Sequence, residues 1–353
     1  MARALILGGT GLIGQAAARH LLGAGWQVDL AGRDPKHMPA DIAASGGRFI
    51  PVERSDSNEL AAALGAGADL LVDCICFTAN HARTLLPLLG SVGSAVMISS
   101  KAVYVDAEGN HSNTDAPPRF DGPIKESQPT MAPGTMDYNS REGYGANKVA
   151  AEQVLLNSGY PVTVIRPSKV HGVGAARPRE WVFVKRILDR RPAVFLARYG
   201  AGIDHTTAAA NTAALIEVVA TKPGSRILNS ADPDAPSALE IARTIARHLD
   251  YEWDEVLLAD TDSDSLGDHP WNATYPIILD MSAAAELGYR PVGDFATTVA
   301  AEIDWLVAAA RGENDFQLPG DDDPFFTRYF DYAAEDAFLA NYCRDAVGGG
   351  AGC

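Results

Sequence analysis

Cysteine is scarce in this chain: four in 353 residues, too few for the disulfide framework that staples small secreted folds. Cys74 and Cys76 stand two apart on one face of an apolar stretch, and Cys343 and Cys353 come near the end. None of these spacings suits a metal, and the eight histidines show no ligand pairing, so no metal site is expected. Basic residues are also in deficit. Lys and Arg number 29 against 45 Asp and Glu, a net charge of −16, which argues against a nucleic-acid partner because phosphate binding needs clustered cations. No apolar run is long enough to cross a bilayer, and no basic-then-apolar leader precedes the first strand-like run. The expectation is a cytoplasmic protein with no membrane partner. What remains is a globular composition, 47% hydrophobic, with length for one large α/β unit or two domains.

The chain is organised around Ala4-Leu5-Ile6-Leu7-Gly8-Gly9-Thr10-Gly11-Leu12-Ile13-Gly14. A short apolar run, the length of a buried strand, breaks at glycines and enters a helical segment from Gln15 to Leu22. Gly8 and Gly11 permit a tight turn and a close backbone approach to a pyrophosphate, while Gly14 lets the helix lie against the strand. Thr10, Leu12 and Ile13 complete the turn at a helix N-terminus, whose free N–H groups favour anions. Between a strand and a helix, this triplet predicts dinucleotide binding.

Strand-like runs then alternate with helical ones. Trp26–Ala31, Arg48–Val52, Asp69–Ile75 and Ala95–Ser99 read as strands, separated by helices through Leu60–Leu64 and near Arg83–Leu89. This βαβαβ order predicts a parallel sheet with helices on both faces. From Asp106 to Gly143 the periodicity lapses into Pro, Asn, Asp and Gly, which suggests a lid or substrate loop. Helix Tyr144–Leu156, strand Val162–Arg166 and helices Trp181–Arg190, Ala208–Val219, Ser237–Leu249 and Ala296–Ala310 follow, with a short helix from Ser282. Beyond Asp321-Asp322-Asp323 an aromatic and Ala-rich segment reads as an appended helix that packs on the body or on a second subunit, the latter as a homodimer. Gly348 to Gly352 reads as a flexible end.

Tyr144 and Lys148 lie four apart at the start of a predicted helix, hence on one face. A phenol is a poor acid or base near neutrality, its reference pKa being about 10. A neighbouring ammonium or an oxidised nicotinamide favours the phenolate. Such a tyrosine can exchange a proton with a substrate oxygen as hydride moves, and Lys148 can donate to cofactor ribose hydroxyls. Ser100 ends a buried strand, where ligands sit in open α/β sheets, and can hydrogen-bond a reacting carbonyl. Read alone, the pair is a solvated helix face and Ser99 and Ser100 are strand-terminating hydroxyls.

Taken in order, Gly8-x-x-Gly11-x-x-Gly14, Ser100-x-x-Val103-Tyr104, Tyr144-x-x-x-Lys148 with Glu152, and Arg166-Pro167-Ser168-Lys169-Val170-His171-Gly172 resemble the extended branch of the short-chain dehydrogenase/reductase superfamily. That branch holds nucleotide-sugar epimerases, dehydratases and ketoreductases. Pro123–Glu126 through Pro133 resembles its loop before the catalytic tyrosine, and Leu279-Asp280 with Glu286–Pro291 resembles a late segment of its substrate domain. The resemblance spans about residues 3 to 311. With the βα alternation, it implies an α/β fold with a Rossmann-type doubly wound parallel sheet and a smaller C-terminal α/β substrate domain. The expected divisions are a dinucleotide-binding domain over 1–166 with the insert 106–143, a substrate-binding part over 167–311 with some segments returning to the first domain, and an acidic, aromatic extension over 312–353.

By position, the resemblance makes Ser100, Tyr144 and Lys148 the catalytic trio and sets Pro167, Ser168 and Val170 beside the nicotinamide. Family dehydratases carry an Asp-Glu pair directly after the catalytic hydroxyl, whereas Lys101-Ala102 stand here, which argues against dehydration. Val105 in place of a glycine and His171 in place of a tyrosine alter the expected substrate pocket. At the end of the second strand, Gly32 leaves room for a 2′-phosphate and Arg33 can pair with it, favouring NADP(H) over NAD(H); alternatively Asp34 is the ribose ligand. Asp56 resembles the residue that contacts the adenine amine and also suits a helix cap, with Glu59 at capping-box spacing. Arg177, Arg179, Lys185, Arg186, Arg190 and Arg191 form a local charge reversal, read either as a site for a phosphate-bearing substrate or as a solvated helix face. The expected function is reduction of a ketone on a small polar molecule. A sugar-nucleotide epimerase with retained cofactor and a non-catalytic NAD(P)-binding sensor are the alternatives.

Overall fold

Alternation of apolar side chains on a short run makes Arg3–Leu7 (β1) a strand buried on both faces, with Leu5 and Leu7 to one side and Ala4 and Ile6 to the other. In the computed structural model, which describes residues 1–259, 266–320 and 322–348, the chain continues in βα alternation. The elements are α1 (Leu12–Gly23), β2 (Gln27–Gly32), α2 (Ala40–Ala44), β3 (Arg48–Pro51), α3 (Ser57–Leu64), β4 (Ala68–Asp73), α4 (Ala79–Leu85) and β5 (Val92–Ile98). After the insert come α5 (Arg141–Leu156), β6 (Val162–Pro167), β7 (Lys169–His171), α6 (Trp181–Leu188), β8 (Ala193–Leu196), β9 (Thr206–Ala208), α7 (Ala209–Thr221) and β10 (Arg226–Ser230). The chain ends with α8 (Ala238–His248), β11 (Asp254–Leu257), α9 (Ser282–Glu286), α10 (Phe295–Ala310) and α11 (Tyr332–Gly348). Cys353 and most of the glycine end lie outside the described residues. Among those residues no helix is long and apolar enough to cross a membrane.

The chain divides into two units. The first comprises Met1–Ala176, Asp204–Ala235 and Tyr275–Val299, and the second Arg177–Ile203, Pro236–Thr274 and Ala300–Cys353. In the first unit a seven-stranded sheet runs β10-β6-β5-β4-β1-β2-β3, with every pairing parallel. Strand order reverses between β1 and β4, and the crevice beyond such a reversal is where open α/β sheets take ligands. One face of the sheet packs Ala17 and Leu21 of α1 with Leu215 and Val219 of α7. The opposite face packs Leu60 and Leu64 of α3, Leu85 of α4 and Leu155 of α5. This is the doubly wound α/β arrangement. Strand β10, which no run in the sequence announces, is one edge of the sheet and β3 the other, and the short strands β7 and β9 pair as a separate ladder. At the opposite ends of the strands, buried Asp29 receives Arg3 at 2.8 Å and Arg48 at 2.8 Å.

The insert has little regular structure but is tied down. Tyr104 bridges to Thr130 and Ile124 to Leu279. The Asp106 carboxylate accepts the backbone N–H groups of Glu108, Asn110 and Arg119 at 2.8–3.0 Å and the Asn110 side-chain Nδ2 at 3.3 Å. In the second unit β8 and β11 form a parallel pair, and α8 begins with a closed capping box between Ser237 and Glu240.

Candidate active site

The glycine turn is dictated by clearance. Gly8 adopts φ +73°, a conformation that favours glycine, and a Cβ on Gly14 would stand 2.4 Å from the Gly8 carbonyl oxygen. Strand β1 and helix α1 therefore approach more closely than any side chain at position 14 allows. Gly11 caps α1 without a side-chain hydrogen bond, and the first turn holds no acid. The helix start thus presents its amides to an anion with nothing competing. A cavity of about 820 Å³ opens in front of it, lined by Gly8, Thr10 and Gly11 at this point and by Gly32, Arg33 and Asp34 beyond. Leu12 and Ile13 are half-buried at the start of α1. An uncapped helix start, a side-chain-free cradle and a cavity of this volume fit a dinucleotide.

At the far end of the cavity, a Cβ on Gly32 would lie 3.3 Å from the Phe49 ring, a tight contact that glycine avoids. Arg33 is exposed on the cavity wall. The Asp34 carboxylate accepts the Lys36 N–H at 2.9 Å. Asp56 caps α3, accepting Asn58 N–H at 2.8 Å and Glu59 N–H at 3.1 Å. The capping box expected from Glu59 does not close, because its carboxylate takes the Glu53 N–H at 2.6 Å instead. Below the cavity Arg54 spans three segments, donating to Asp73 at 2.6 Å, to the His81 carbonyl at 2.7 Å and to Thr84 at 2.7 Å. No local pattern in the sequence marks that bridge.

Ser100 follows β5 and begins a short 3-10 turn, where its Oγ accepts the Ala102 N–H at 3.1 Å. Helix α5 carries Tyr144 and Lys148 one turn apart and starts at Ser140, whose Oγ accepts the Gly143 N–H at 2.9 Å. The helix lies against the Ser100 turn: a Cβ on Gly145 would be 2.8 Å from the Ala102 carbonyl oxygen. The Lys148 ammonium donates to the carbonyls of Cys76 at 3.0 Å, in the loop after β4, and of Ile98 at 2.9 Å, the last residue of β5. It stands 5.9 Å from the Tyr144 ring centre and 4.4 Å from that of Phe77, with only 2% of the residue exposed. Beside these two thiols' strand end, burial pushes Cys74 up to about 12 and Cys76 higher still, so neither is a thiolate near neutrality.

One turn beyond Lys148, Glu152 is buried and receives Ser99 Oγ at 2.5 Å and Arg166 at 2.5 and 3.0 Å. The Arg166 guanidinium lies 4.8 Å over the Tyr104 ring, and the Tyr104 hydroxyl donates to Asn229 at 2.6 Å. Burial raises that phenol to about 12 against the lowering effect of Arg166, so it remains a donor. This network ties α5 to β5, β6 and β10 and so sets the helix that carries Tyr144 and Lys148. Pro167 ends β6. Ser168 donates its N–H to Ser230 O at 3.1 Å and to Thr207 Oγ1 at 3.0 Å, and its own Oγ is buried with no hydrogen-bond partner among the described residues. Val170 follows in β7, half-buried. Lys101 and Lys169 both pair with Asp204, Lys169 at 3.0 Å.

The model of the NAD dependent epimerase/dehydratase family matches residues 4–200, more than half of the chain. The chain belongs to this family. As an epimerase/dehydratase-family protein it is a nicotinamide-dependent enzyme. Solved structures place the fold in the same company. A protein of Burkholderia cenocepacia described as a candidate epimerase matches with a TM-score of 0.66 at 20% identity, covering 87% of this chain and 98% of that one. The UDP-N-acetylglucosamine 4-epimerase of Bacillus cereus matches with a TM-score of 0.65 at 16% identity, covering 87% and 99%. The dTDP-glucose 4,6-dehydratase of Bacillus anthracis, solved with NAD, matches with a TM-score of 0.64 at 14% identity, covering 89% and 98%. Comparison with curated proteins finds no match.

In the second unit of this family member the charge reversal has a different setting from either one anticipated. Arg186 is buried and donates to Glu335 at 2.7 Å and to the Tyr329 carbonyl at 2.5 Å. Arg191 reaches Asp336 at 2.5 Å and lies 4.4 Å from the Tyr332 ring centre, while Lys185 pairs with Asp189 at 2.8 Å. These cations are covered by the acids and aromatic rings of the C-terminal segment, so three members of the cluster are neither a solvated face nor an open phosphate site.

Proposed function

We propose that the chain transfers hydride between NADP(H) and a carbon bearing a secondary alcohol or ketone on a small polar, sugar-nucleotide-like molecule. One observation carries the reading: Tyr144 and Lys148 stand one turn apart on α5, at the strand ends where Lys148 binds the carbonyls of Cys76 and Ile98. When bound, the nicotinamide supplies or accepts the hydride. The Tyr144 hydroxyl gives a proton to the substrate oxygen during reduction and takes it back during oxidation. Positive charge on Lys148 stabilises the phenol oxygen as that proton leaves. Ser100 Oγ donates to the same substrate oxygen and holds it as charge develops. Pro167, Ser168 and Val170 border the nicotinamide, and Thr10, Gly11, Leu12 and Ile13 hold the pyrophosphate. NADP(H) is favoured by the exposed guanidinium of Arg33 beside Gly32, which offers no acidic side chain to a ribose hydroxyl.

The second reading, epimerisation with retained cofactor, is supported by the 4-epimerases among the similar solved structures. Kinetics separate the two, since only a reductase consumes NADPH against a ketone. Tyr144→Phe tests both at once. Turnover is expected to vanish with cofactor affinity nearly unchanged, and wild-type turnover in this variant refutes the assignment.

A further inference from the structure

The cavity wall nearest Lys148 is aromatic, and the mechanism leaves those rings without a role. Phe77 covers the ammonium with its ring centre 4.4 Å away, within the range of a cation–π contact. Tyr138, from the last residues of the insert, stacks on Phe77 with ring centres 5.4 Å apart and planes 8° from parallel. His81 meets both rings edge-on, at 6.5 Å from Phe77 and 6.2 Å from Tyr138. Its Nδ1 also accepts the Phe77 N–H at 3.2 Å, which fixes the backbone that carries the ring. Burial, then the Arg54 charge, holds His81 below its usual value, consistent with the neutral ring this bond requires. Phe77, His81 and Tyr138 all line the 820 Å³ cavity, but Lys148 does not. The ammonium therefore faces two carbonyls and two aromatic rings, with 2% of the residue exposed.

We propose that Phe77 and Tyr138 form a displaceable cover: Phe77 lies over the Lys148 ammonium, Tyr138 stacks on Phe77, and a nicotinamide cofactor reaches that lysine by displacing them. This rests on the reading in which Lys148 serves the cofactor ribose. Two consequences follow from the stacking order. Because Tyr138 belongs to the insert, cofactor entry is coupled to the conformation of that loop. Because the binding-competent form lacks the cover, apparent affinity is lowered by the fraction of molecules in which the cover is closed. Removing the cover then tightens cofactor binding, where loss of an ordinary contact weakens it.

Limited acetylation of the full chain, followed by peptide mass spectrometry, reads the seal directly, with exposed Lys125 as internal reference. In the wild type, Lys148 is expected to react at least tenfold more slowly than Lys125. Phe77→Ala is expected to bring Lys148 within about threefold of Lys125 and to lower the Kd for NADPH at least threefold. Tyr138→Ala, which alters a half-buried loop residue, should move both quantities the same way by a smaller factor, and Tyr138→Phe, which keeps the stack, should move neither. Lys148 equally protected in Phe77→Ala, or weaker NADPH binding by that variant, overturns the cover. Saturating NADPH that fails to re-protect Lys148 in Phe77→Ala instead overturns the assignment of Lys148 to the cofactor and leaves the cover standing.

Discussion

Gly145 is the tightest constraint on how α5 meets the Ser100 turn, and Gly145→Ala tests whether that approach matters for the reaction. A Cβ there would lie 2.8 Å from the backbone oxygen of Ala102 and 2.4 Å from Met131 Sδ. The Met131 end is flexible and can swing aside, but the carbonyl belongs to the 3-10 turn that begins at Ser100. Restoring an ordinary contact of 3.4 Å requires a retreat of about 0.6 Å. A misplacement of about 1 Å costs on the order of a hundredfold in rate, so a retreat of this size should cost about tenfold. The net stability loss is about 0–2 kcal/mol, because overpacking costs about 1–3 kcal/mol while replacing a helical glycine returns about 1 kcal/mol. The assay is kcat of the purified variant beside a thermal melt and an NADPH titration. A fall of about tenfold in kcat with near-native melting and affinity is expected. Wild-type kcat in a folded Gly145→Ala protein would refute the claim that Ser100 and Tyr144 act as one geometric unit.

Two further outcomes follow from the same geometry. Arg33→Ala should weaken NADPH binding about tenfold and leave NADH within twofold, as measured by fluorescence titration at matched salt, since one charge-assisted pair to a 2′-phosphate is removed; equal losses for both cofactors would remove the case for the phosphate. Glu335→Ala leaves the buried Arg186 guanidinium without its carboxylate, a change that costs about 3–5 kcal/mol. Denaturant unfolding should show that loss, and the Arg186→Met, Glu335→Leu double variant should recover much of it because no unpaired charge stays buried. A single variant within about 1 kcal/mol of wild type would show that the C-terminal segment is not held by this pair.

What was legible in the sequence was local. The glycine turn, the helix that carries Tyr144 and Lys148, and the Ser237 cap depend on residues a few positions apart, where spacing alone sets geometry. Strands β7 to β11 have no clear signature in the sequence because each exists only through a partner distant along the chain: β10 needs β6, β11 needs β8 and β7 needs β9. Even a local motif gave way to a local competitor at Glu59, whose carboxylate took the amide of Glu53, six residues back, in place of the capping box. The charge cluster around α6 misled for a different reason. The acids that answer Arg186 and Arg191 lie about 145 residues further along, beyond the reach of any window on the sequence.

Apolar periodicity and glycine placement were therefore enough to establish a doubly wound α/β sheet with a glycine turn at the start of α1, because both act over one or two turns of chain. Folding alone decided what surrounds Lys148. Phe77, Tyr138 and Lys148 come from three separate segments, and a ring over the ammonium with a second ring stacked on the first is a contact that no spacing rule encodes.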